Sequence, residues 1–275
     1  AYVRPTPVGM TEAVNEIAEE QTKVQALSEL SQELHTQISE VITSSQGLLQ
    51  QRNMSPRRKR LTRSIANSSA SALRLVKEVD EYARLSSGQH EYRKQATSLV
   101  QILDQISRQV TDEADKKQLN YEVVFDLAML HPVETCSTEV KRVLEHLIFN
   151  AIKYTEKGYV RVVVKEKLVG EGLRWRFEIE DSGVGIDDAE QKSVFDPFVR
   201  AHAGRIHETR GIGLGTTIAR QLVEGMSGQI GMRSQVNEGT TFWFEVPVGK
   251  TSRDEPQTTA PVMLSCLSLA TREKE

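Results

Sequence analysis

The sequence predicts two architectures in series: a long α-helical hairpin, then an α/β layer domain. Three observations predict them. Apolar residues recur on a heptad from Val24 to Tyr82, and a Ser-Pro step at Ser55-Pro56 interrupts that repeat. Beyond Gln89 the pattern changes to short strand-like runs that alternate with helical stretches and glycine-rich turns.

Residues 11–51 contain no Pro and a single Gly, Gly47. Val24, Leu27, Leu34, Ile38, Val41 and Leu48 fall on alternating steps of three and four, with Ser31 and Ser45 completing the seam. Forty helical residues extend about 60 Å and cannot bury such a stripe without a partner. Ser55 is placed to cap a second helix, and Pro56 suits its first position. Leu61, Ile65, Ser68, Ala72, Leu75, Val79 and Tyr82 continue the heptad, and Gly88 can end the helix in a left-handed conformation. Two long helices with a short loop form an antiparallel hairpin. Two hairpins would bury both seams as a four-helix bundle, so a homodimer is expected. An isolated coiled-coil spacer is the competing reading. Arg52, Arg57, Arg58, Lys59, Arg60 and Arg63 cluster at the hairpin tip, as a solvated turn or as a docking patch for an acidic partner.

Residues 121–125, 159–164, 174–179 and 241–246 read as strands, and 138–154 and 215–226 as helices, within an α/β domain over about 97–248. Three polar motifs stand in this frame. Asn150 and Lys153 share a helical face, where a carboxamide oxygen suits Mg²⁺ and an ammonium reaches phosphate. Asp181-Ser182-Gly183-Val184-Gly185 follows a strand, so its carboxylate can accept from an exocyclic amine while the glycines admit a ligand close to the backbone. Gly211-Ile212-Gly213-Leu214-Gly215 opens a helix, whose free N–H groups and dipole favour phosphate. A glycine-rich turn or a lone Asn is by itself usually structural; the order and spacing of all three argue for a nucleotide site.

These motifs resemble the GHKL-type (Bergerat) ATPase domain of sensor histidine kinases, with an N-box at Asn150, a G1 box at 181–185 and a G2 box at 211–215. Phe195-Asp196-Pro197-Phe198-Val199-Arg200 is similar to the F-box, and Glu238-Gly239-Thr240-Thr241-Phe242 to the last nucleotide signature. With the hairpin, the resemblance covers roughly residues 12–248. It implies a linker at 1–11, a dimerisation and histidine-phosphotransfer hairpin at 12–88, a linker at 89–96, an α/β-sandwich catalytic ATP-binding domain at 97–248 and a linker at 249–275. The implied nucleotide-binding residues are Asn150, Lys153, Tyr154, Asp181, Gly183, Gly185, Arg200, Gly211, Gly213, Leu214, Gly215 and Thr240, with Asn150 on Mg²⁺. The segment between Phe198 and Gly211 would be a mobile ATP lid carrying Arg200 and Arg205. The implied cofactors are ATP and Mg²⁺, and the implied partners are a second copy, a response-regulator receiver domain and another sensor kinase.

The chain departs from that family at four positions. Ser31-Gln32-Glu33-Leu34-His35-Thr36 resembles the phospho-acceptor box, but Gln32 stands at the acceptor histidine. An imidazole offers a nitrogen lone pair for a phosphoramidate, whereas an amide nitrogen has its lone pair delocalised. Glu33 keeps the place of the base beside the acceptor; His35, about one turn away, is either a solvent-facing residue at an arginine position or a displaced substitute acceptor, and in-line transfer tolerates little displacement. Thr36 stands where the family orients water for receiver dephosphorylation. Gln37 replaces a helix-kinking proline, His146 replaces an Asn of the N-box, and Asn237 replaces a Gly. The implied function is the kinase core of a hybrid two-component sensor with autophosphorylation blocked. The alternative is a non-catalytic regulator or receiver phosphatase.

Bulk properties set outer bounds. The 275 residues allow one large or two ordinary domains. A net charge of −3 gives no electrostatic case for nucleic-acid binding. Cys136 and Cys266 lie far apart, which suggests a reducing compartment without a disulfide framework. No apolar run is long enough to span a bilayer. The expected setting is the cytoplasmic portion of a membrane-anchored sensor, with any anchor outside this chain. The Ser/Thr/Pro-containing tail from Thr251, with its apolar Val262-Met263-Leu264, reads as a linker towards a receiver.

Overall fold

The computed structural model describes residues 7–51, 54–170, 172–200, 211–250 and 267–270. The chain divides into two compact units, Ala1–His90 and Glu91–Glu275.

The first unit is the hairpin of α1 (Pro7–Leu49) and α2 (Pro56–Ser86). Helix α1 begins four residues before the expected start, within the segment read as a linker. Gln37 leaves it uninterrupted, and its side-chain amide donates to Glu33 Oε1 at 3.4 Å. At the break, Ser55 Oγ accepts from the Arg58 N–H, and Gly88 takes φ +70 just beyond the end of α2. Both caps follow from the residue types.

The seam is only half used. Val24, Ser31 and Ser45, seven or fourteen residues apart, are buried, whereas Leu34, Val41 and Leu48 stay 38–45% exposed. On α2 the buried positions are Thr62, Val76 and Ala83, each one residue after the expected Leu61, Leu75 and Tyr82. Leu61 and Ile65 remain 58% and 51% exposed. Two helices bury only the flank of a stripe that is wide enough for more neighbours.

The second unit is one mixed sheet covered by helices. In order come β1 (Gln95–Thr97), α3 (Leu99–Lys116), β2 (Asn120–Asp126), a 3-10 turn (Leu127–Leu130), β3 (Val133–Thr135) and α4 (Ser137–Tyr154). They are followed by β4 (Tyr159–Val169), β5 (Gly172–Asp181), the short α5 (Asp188–Gln191) and α6 (Gly215–Gly225). Strands β6 (Gln229–Gln235), β7 (Gly239–Lys250) and β8 (Leu267–Ala270) complete it. The strand order is β1-β3-β7-β5-β4-β2-β8, with β6 also paired to β7. Strand β5 is central and antiparallel to β4 and β7, while β2 runs parallel to β4 and to β8.

Alternation along β5 sends Trp175, Phe177 and Ile179 into the core, where Phe177 stacks on Phe244 at 4.6 Å. Leu99, Ile102, Leu103, Ile106 and Val110 of α3 and Val140, Val143, Leu144 and Leu147 of α4 are also buried. On the sheet, Arg176 donates to Glu178 and Glu245 at 2.9 and 2.8 Å and lies over the Trp243 ring. Burial raises both carboxyls, but hydrogen bonds from Arg176, Lys165 and Lys167 outweigh it and hold them below the usual range.

Two expected linkers contain structure. Residues 95–97 form β1 against β3, and Tyr92 donates its hydroxyl to the Gln221 carbonyl at 3.3 Å. In the tail, Leu267–Ala270 pairs with β2 as β8. These strands are too short to show alternation, so composition alone hides them. Val262-Met263-Leu264 lies outside the described residues. Among those described, no helix is long and apolar enough to cross a membrane.

Lys117, just beyond α3, fixes the far end of α4. Its ammonium donates to the carbonyls of Ile152, Lys153 and Thr155 at 2.7, 2.9 and 3.1 Å. These are the acceptors a helix end leaves open, and burial lowers the lysine pKa. Lys117→Met leaves them unmatched and is expected to destabilise the chain by about 1–3 kcal/mol, read as a lower urea midpoint at unchanged slope.

Candidate nucleotide site

Helix α4 packs on α6, and three polar side chains of α4 stand beside the glycine loop. Lys153 Nζ lies 2.8 Å from where a Cβ on Gly211 would stand. His146 Nδ1 and Asn150 Nδ2 lie 3.4 and 3.6 Å from the equivalent point on Gly215. The helical period therefore lines up His146, Asn150 and Lys153 on one face, opposite the start of α6. Glycine at 211 and 215 keeps that gap clear. The open N–H groups of α6 and the Lys153 ammonium both favour an anion there.

A second group of residues surrounds Asp181, at the end of β5. Its Oδ1 accepts from the Gly183 N–H at 2.9 Å and the Thr240 N–H at 3.3 Å. A Cβ on Gly183 would come within 2.6 Å of the Tyr154 carbonyl oxygen. Gly239 sits at φ +119, and a Cβ there would come within 2.9 Å of the Asp181 carbonyl carbon. The turn is tied down from several sides. Ser234 Oγ accepts from the Ile186 N–H at 2.8 Å and donates to the Gly239 carbonyl at 2.8 Å. The Gln191 amide donates to the carbonyls of Ile186 and Ser234, both at 3.0 Å. Asn237, where the family has Gly, adopts φ 65, and Asn is among the few residues that tolerate this. Its N–H donates to the Val184 carbonyl at 2.9 Å.

The third part is the approach to the glycine loop. The Phe198 N–H donates to the Gly213 carbonyl at 3.0 Å, and Phe198 takes φ 63, rare for an aromatic residue. Thr216 Oγ1 donates to the Val194 carbonyl at 2.6 Å, and Leu214 is fully buried. Both ends of the loop are thus pinned to each other. Arg200 is half-buried at its first edge, while Arg205 and the rest of the expected lid lie outside the described residues.

The structure thus brings Asn150, Lys153, Gly211 and Gly215 together, and Asp181, Gly183 and Thr240 together. Tyr154 closes α4, with Lys153 Nζ 4.8 Å from its ring centroid. A shallow pocket of about 210 Å³ lies beside it, lined by Tyr154, Glu156, Lys157, Ser182, Gly183, Val184 and Asn237. It lacks Asn150 and Asp181 and is below the usual ~300–1,000 Å³ of small-molecule sites. Gln32, Glu33 and Thr36 belong to the first unit, where all three are exposed; Thr36 Oγ1 donates to the Gln32 carbonyl at 3.1 Å. Sequence reasoning missed Lys117, Ser234 and Gln191. They act through backbone groups, and only Ser234, five residues before Gly239, lies near a motif that could have drawn attention to it.

The fit to a divalent cation and a triphosphate rests on the donor set. Asn150 offers a hard oxygen, Lys153 a cation, and the glycines a space that a Cβ would fill. The fit to a base with an exocyclic amine rests on Asp181. Burial pushes this carboxyl up to about 6, although the Gly183 and Thr240 N–H groups pull it back. The folded chain therefore holds this proton more tightly than the unfolded chain does. That stabilisation is fully present below about 4 and is lost as pH rises through about 6, on the order of 3 kcal/mol in all. Asp181→Asn is expected to remove this segment of the stability–pH profile. In urea titrations from pH 4 to 8 the variant should gain on the parent as pH rises.

The profile of the family described as "Histidine kinase-, DNA gyrase B-, and HSP90-like ATPase" matches residues 136–250. The sensory/regulatory protein RpfC of Xanthomonas campestris is 31% identical over 244 residues, 87% of this chain and 33% of that protein. The autoinducer 2 sensor kinase/phosphatase LuxQ of Vibrio vulnificus is 26% identical over 88% of this chain and 28% of its own length. The sensor histidine kinase AruS of Pseudomonas aeruginosa is 27% identical over 86% and 24%. The chain thus spans a third or less of these relatives. Full-length ShkA, crystallised in complex with AMPPNP, shares the fold at a TM-score of 0.69 and 24% identity, over 83% of this chain and 46% of that one. The histidine kinase AdeS of Acinetobacter baumannii gives 0.56 at 22% identity, over 77% and 96%. With the ATPase profile lying on the residues that build the site, the chain belongs to the histidine protein kinase family, as the ATPase-bearing core of a two-component sensor kinase.

Proposed function

We propose that this chain binds Mg-ATP for phosphorelay signalling and that Gln32 blocks its own phosphorylation. The observation that carries the reading is the line of His146, Asn150 and Lys153 facing Gly211 and Gly215, with the Asp181 group beyond it. Asp181 accepts from the adenine amino group, and its glycine-lined turn lets the base lie against backbone. Lys153 and the α6 N-terminus hold phosphate oxygens, and Arg200 reaches them from the loop edge. Asn150 holds the cation, which when bound neutralises charge on the phosphates.

Residues 12–88 are assigned as the dimerisation and phosphotransfer hairpin and 97–248 as the catalytic domain. The exposed row of Leu34, Val41, Leu48, Leu61 and Ile65 supports a homodimer that closes a four-helix bundle. In the family reaction an imidazole nitrogen bonds to the γ-phosphorus as the bond to the β-bridging oxygen breaks, and ADP leaves with the electron pair. Gln32 supplies no such nitrogen. The receiver domain of a response regulator and another sensor kinase are the proposed partners, and the cytoplasmic side of a membrane-anchored sensor is the proposed setting.

One observation favours a second role. Thr36 is exposed beside Gln32 and uses its hydroxyl hydrogen on the helix, so its oxygen lone pairs remain to accept from a water. Such a water could attack a receiver phospho-aspartate without any histidine. Here Thr36→Ala is expected to slow phosphate loss from a receiver; an unchanged rate removes this role.

The main test uses γ-labelled ATP and Mg²⁺ on the chain and on Gln32→His. Acid-labile label is expected only on Gln32→His. Label on both would implicate another acceptor, His35 first. Nucleotide binding without label on either would favour the regulator.

A further inference from the structure

Between α2 and β1 the chain is exposed at Glu91, Arg93 and Lys94, yet Tyr92 among them is half-buried. Its hydroxyl donates to the Gln221 carbonyl, near the end of α6, at 3.3 Å. Its ring fills the space beside Gly225, the last residue of α6, where a Cβ would enter the phenol. Gly225 is not among the glycines at positive φ, so the backbone does not call for glycine there. Glycine is a poor helix former, and room for the Tyr92 ring is the reason the structure offers for it. The start of α4 stands on the other side. Burial raises the Tyr92 hydroxyl above its ordinary pKa, and the neighbouring Glu139 and Cys136 add to the rise. Tyr92 therefore bridges the end of α6 and the start of α4.

These two helices run antiparallel. At their other ends Asn150 and Lys153, late on α4, stand beside Gly211 and Gly215 at the start of α6. From Gly215 to Gly225 the helix spans about 15 Å. Tyr92 at one end and a nucleotide at the other thus brace the same packed pair without touching each other. Whichever orders the pair first lowers the ordering cost left for the second, which is positive coupling, and such coupling is reciprocal. We propose that Tyr92 is a wedge that couples the linker to the nucleotide site: its docking between α4 and α6 and the binding of a nucleoside di- or triphosphate strengthen each other. The linker from the hairpin is then held while nucleotide is bound and released more readily once it leaves. The inference rests on the nucleotide-site reading above and adds a regulation of that site.

The experiment uses the whole chain, with Tyr92→Ala to remove the wedge and Gly225→Ala to fill its slot. Calorimetry gives the Mg·ADP dissociation constant. Trypsin reports the linker, because Arg93 and Lys94 are exposed directly after Tyr92 and cutting there requires the stretch to lift away. Cutting after Lys167, exposed on β4, serves as the internal control. In the parent, saturating Mg·ADP is expected to slow cutting after Arg93 and Lys94 at least about fivefold, the scale of coupling between two sites, and to leave Lys167 unchanged. Both variants are expected to bind Mg·ADP more weakly by that same factor and to be cut after Arg93 and Lys94 at a rate that Mg·ADP no longer alters. Parent cutting that ignores Mg·ADP, or slows equally at Lys167, overturns the proposal even where a variant fails to fold. Variants that keep the parent's affinity overturn it as well, and both results leave the nucleotide site intact. Absence of Mg·ADP binding to the parent overturns the nucleotide-site reading itself.

Discussion

One carboxylate oxygen holds the nucleotide end of the second unit together. Asp181 Oδ1 takes N–H groups from Gly183 and from Thr240, 59 residues further along the chain. The turn after β5 and the first residues of β7 are thereby fixed to the same atom. This geometry excludes side chains at 183 and 239, because each would enter a neighbouring main chain. It also places the carboxyl where water is scarce, which is why its pKa lies near 6. The proposed contact to a base would draw on the same buried group that anchors the turn. Buried polar groups are normally tolerated only when they are paired; here the two backbone donors meet that need before any ligand arrives.

The hairpin obeys a different constraint. Its apolar stripe is wider than one neighbouring helix can cover. Ser31 and Ser45 are buried where α1 meets α2, while Leu34, Leu48 and Leu61 of the seam stay exposed. Ser31, Ser45, Thr62 and Ala83 are small enough to let two helices of one chain approach closely, with Val24 and Val76 the larger buried members. The heptad predicted the stripe correctly. It misplaced the intrachain face of α2 by one residue, since the stripe's flank and its centre differ by one helical step of about 100°.

How much was legible depended on whether the signal was local. Ser55-Pro56 and Gly88 announced both ends of α2 through residue chemistry alone. The glycine-rich motifs were legible because close backbone approach demands few residue types. Asn237 stood out as a departure, and its positive φ supplies the reason: Asn tolerates the conformation that Gly would otherwise provide. Helix α3 carries the plain spacing Leu99, Ile102, Leu103, Ile106 and Val110, yet it lacks a motif and was overlooked. Strands β1, β3 and β8 have three, three and four residues, too few for periodicity. Lys117, Ser234 and Gln191 act on carbonyls or amides whose positions exist only once the chain has folded.

Strand β8 has a bearing on solubility. Without it, β2 would end the sheet with a row of unpaired amides and carbonyls beside Val123, Val124 and Phe125, a surface that can template pairing with another chain. Residues 267–270 occupy that row from within the same molecule. A version shortened to the end of β7 would keep its nucleotide motifs and yet carry a sticky margin, prone to association through strand pairing and not through the helical hairpin.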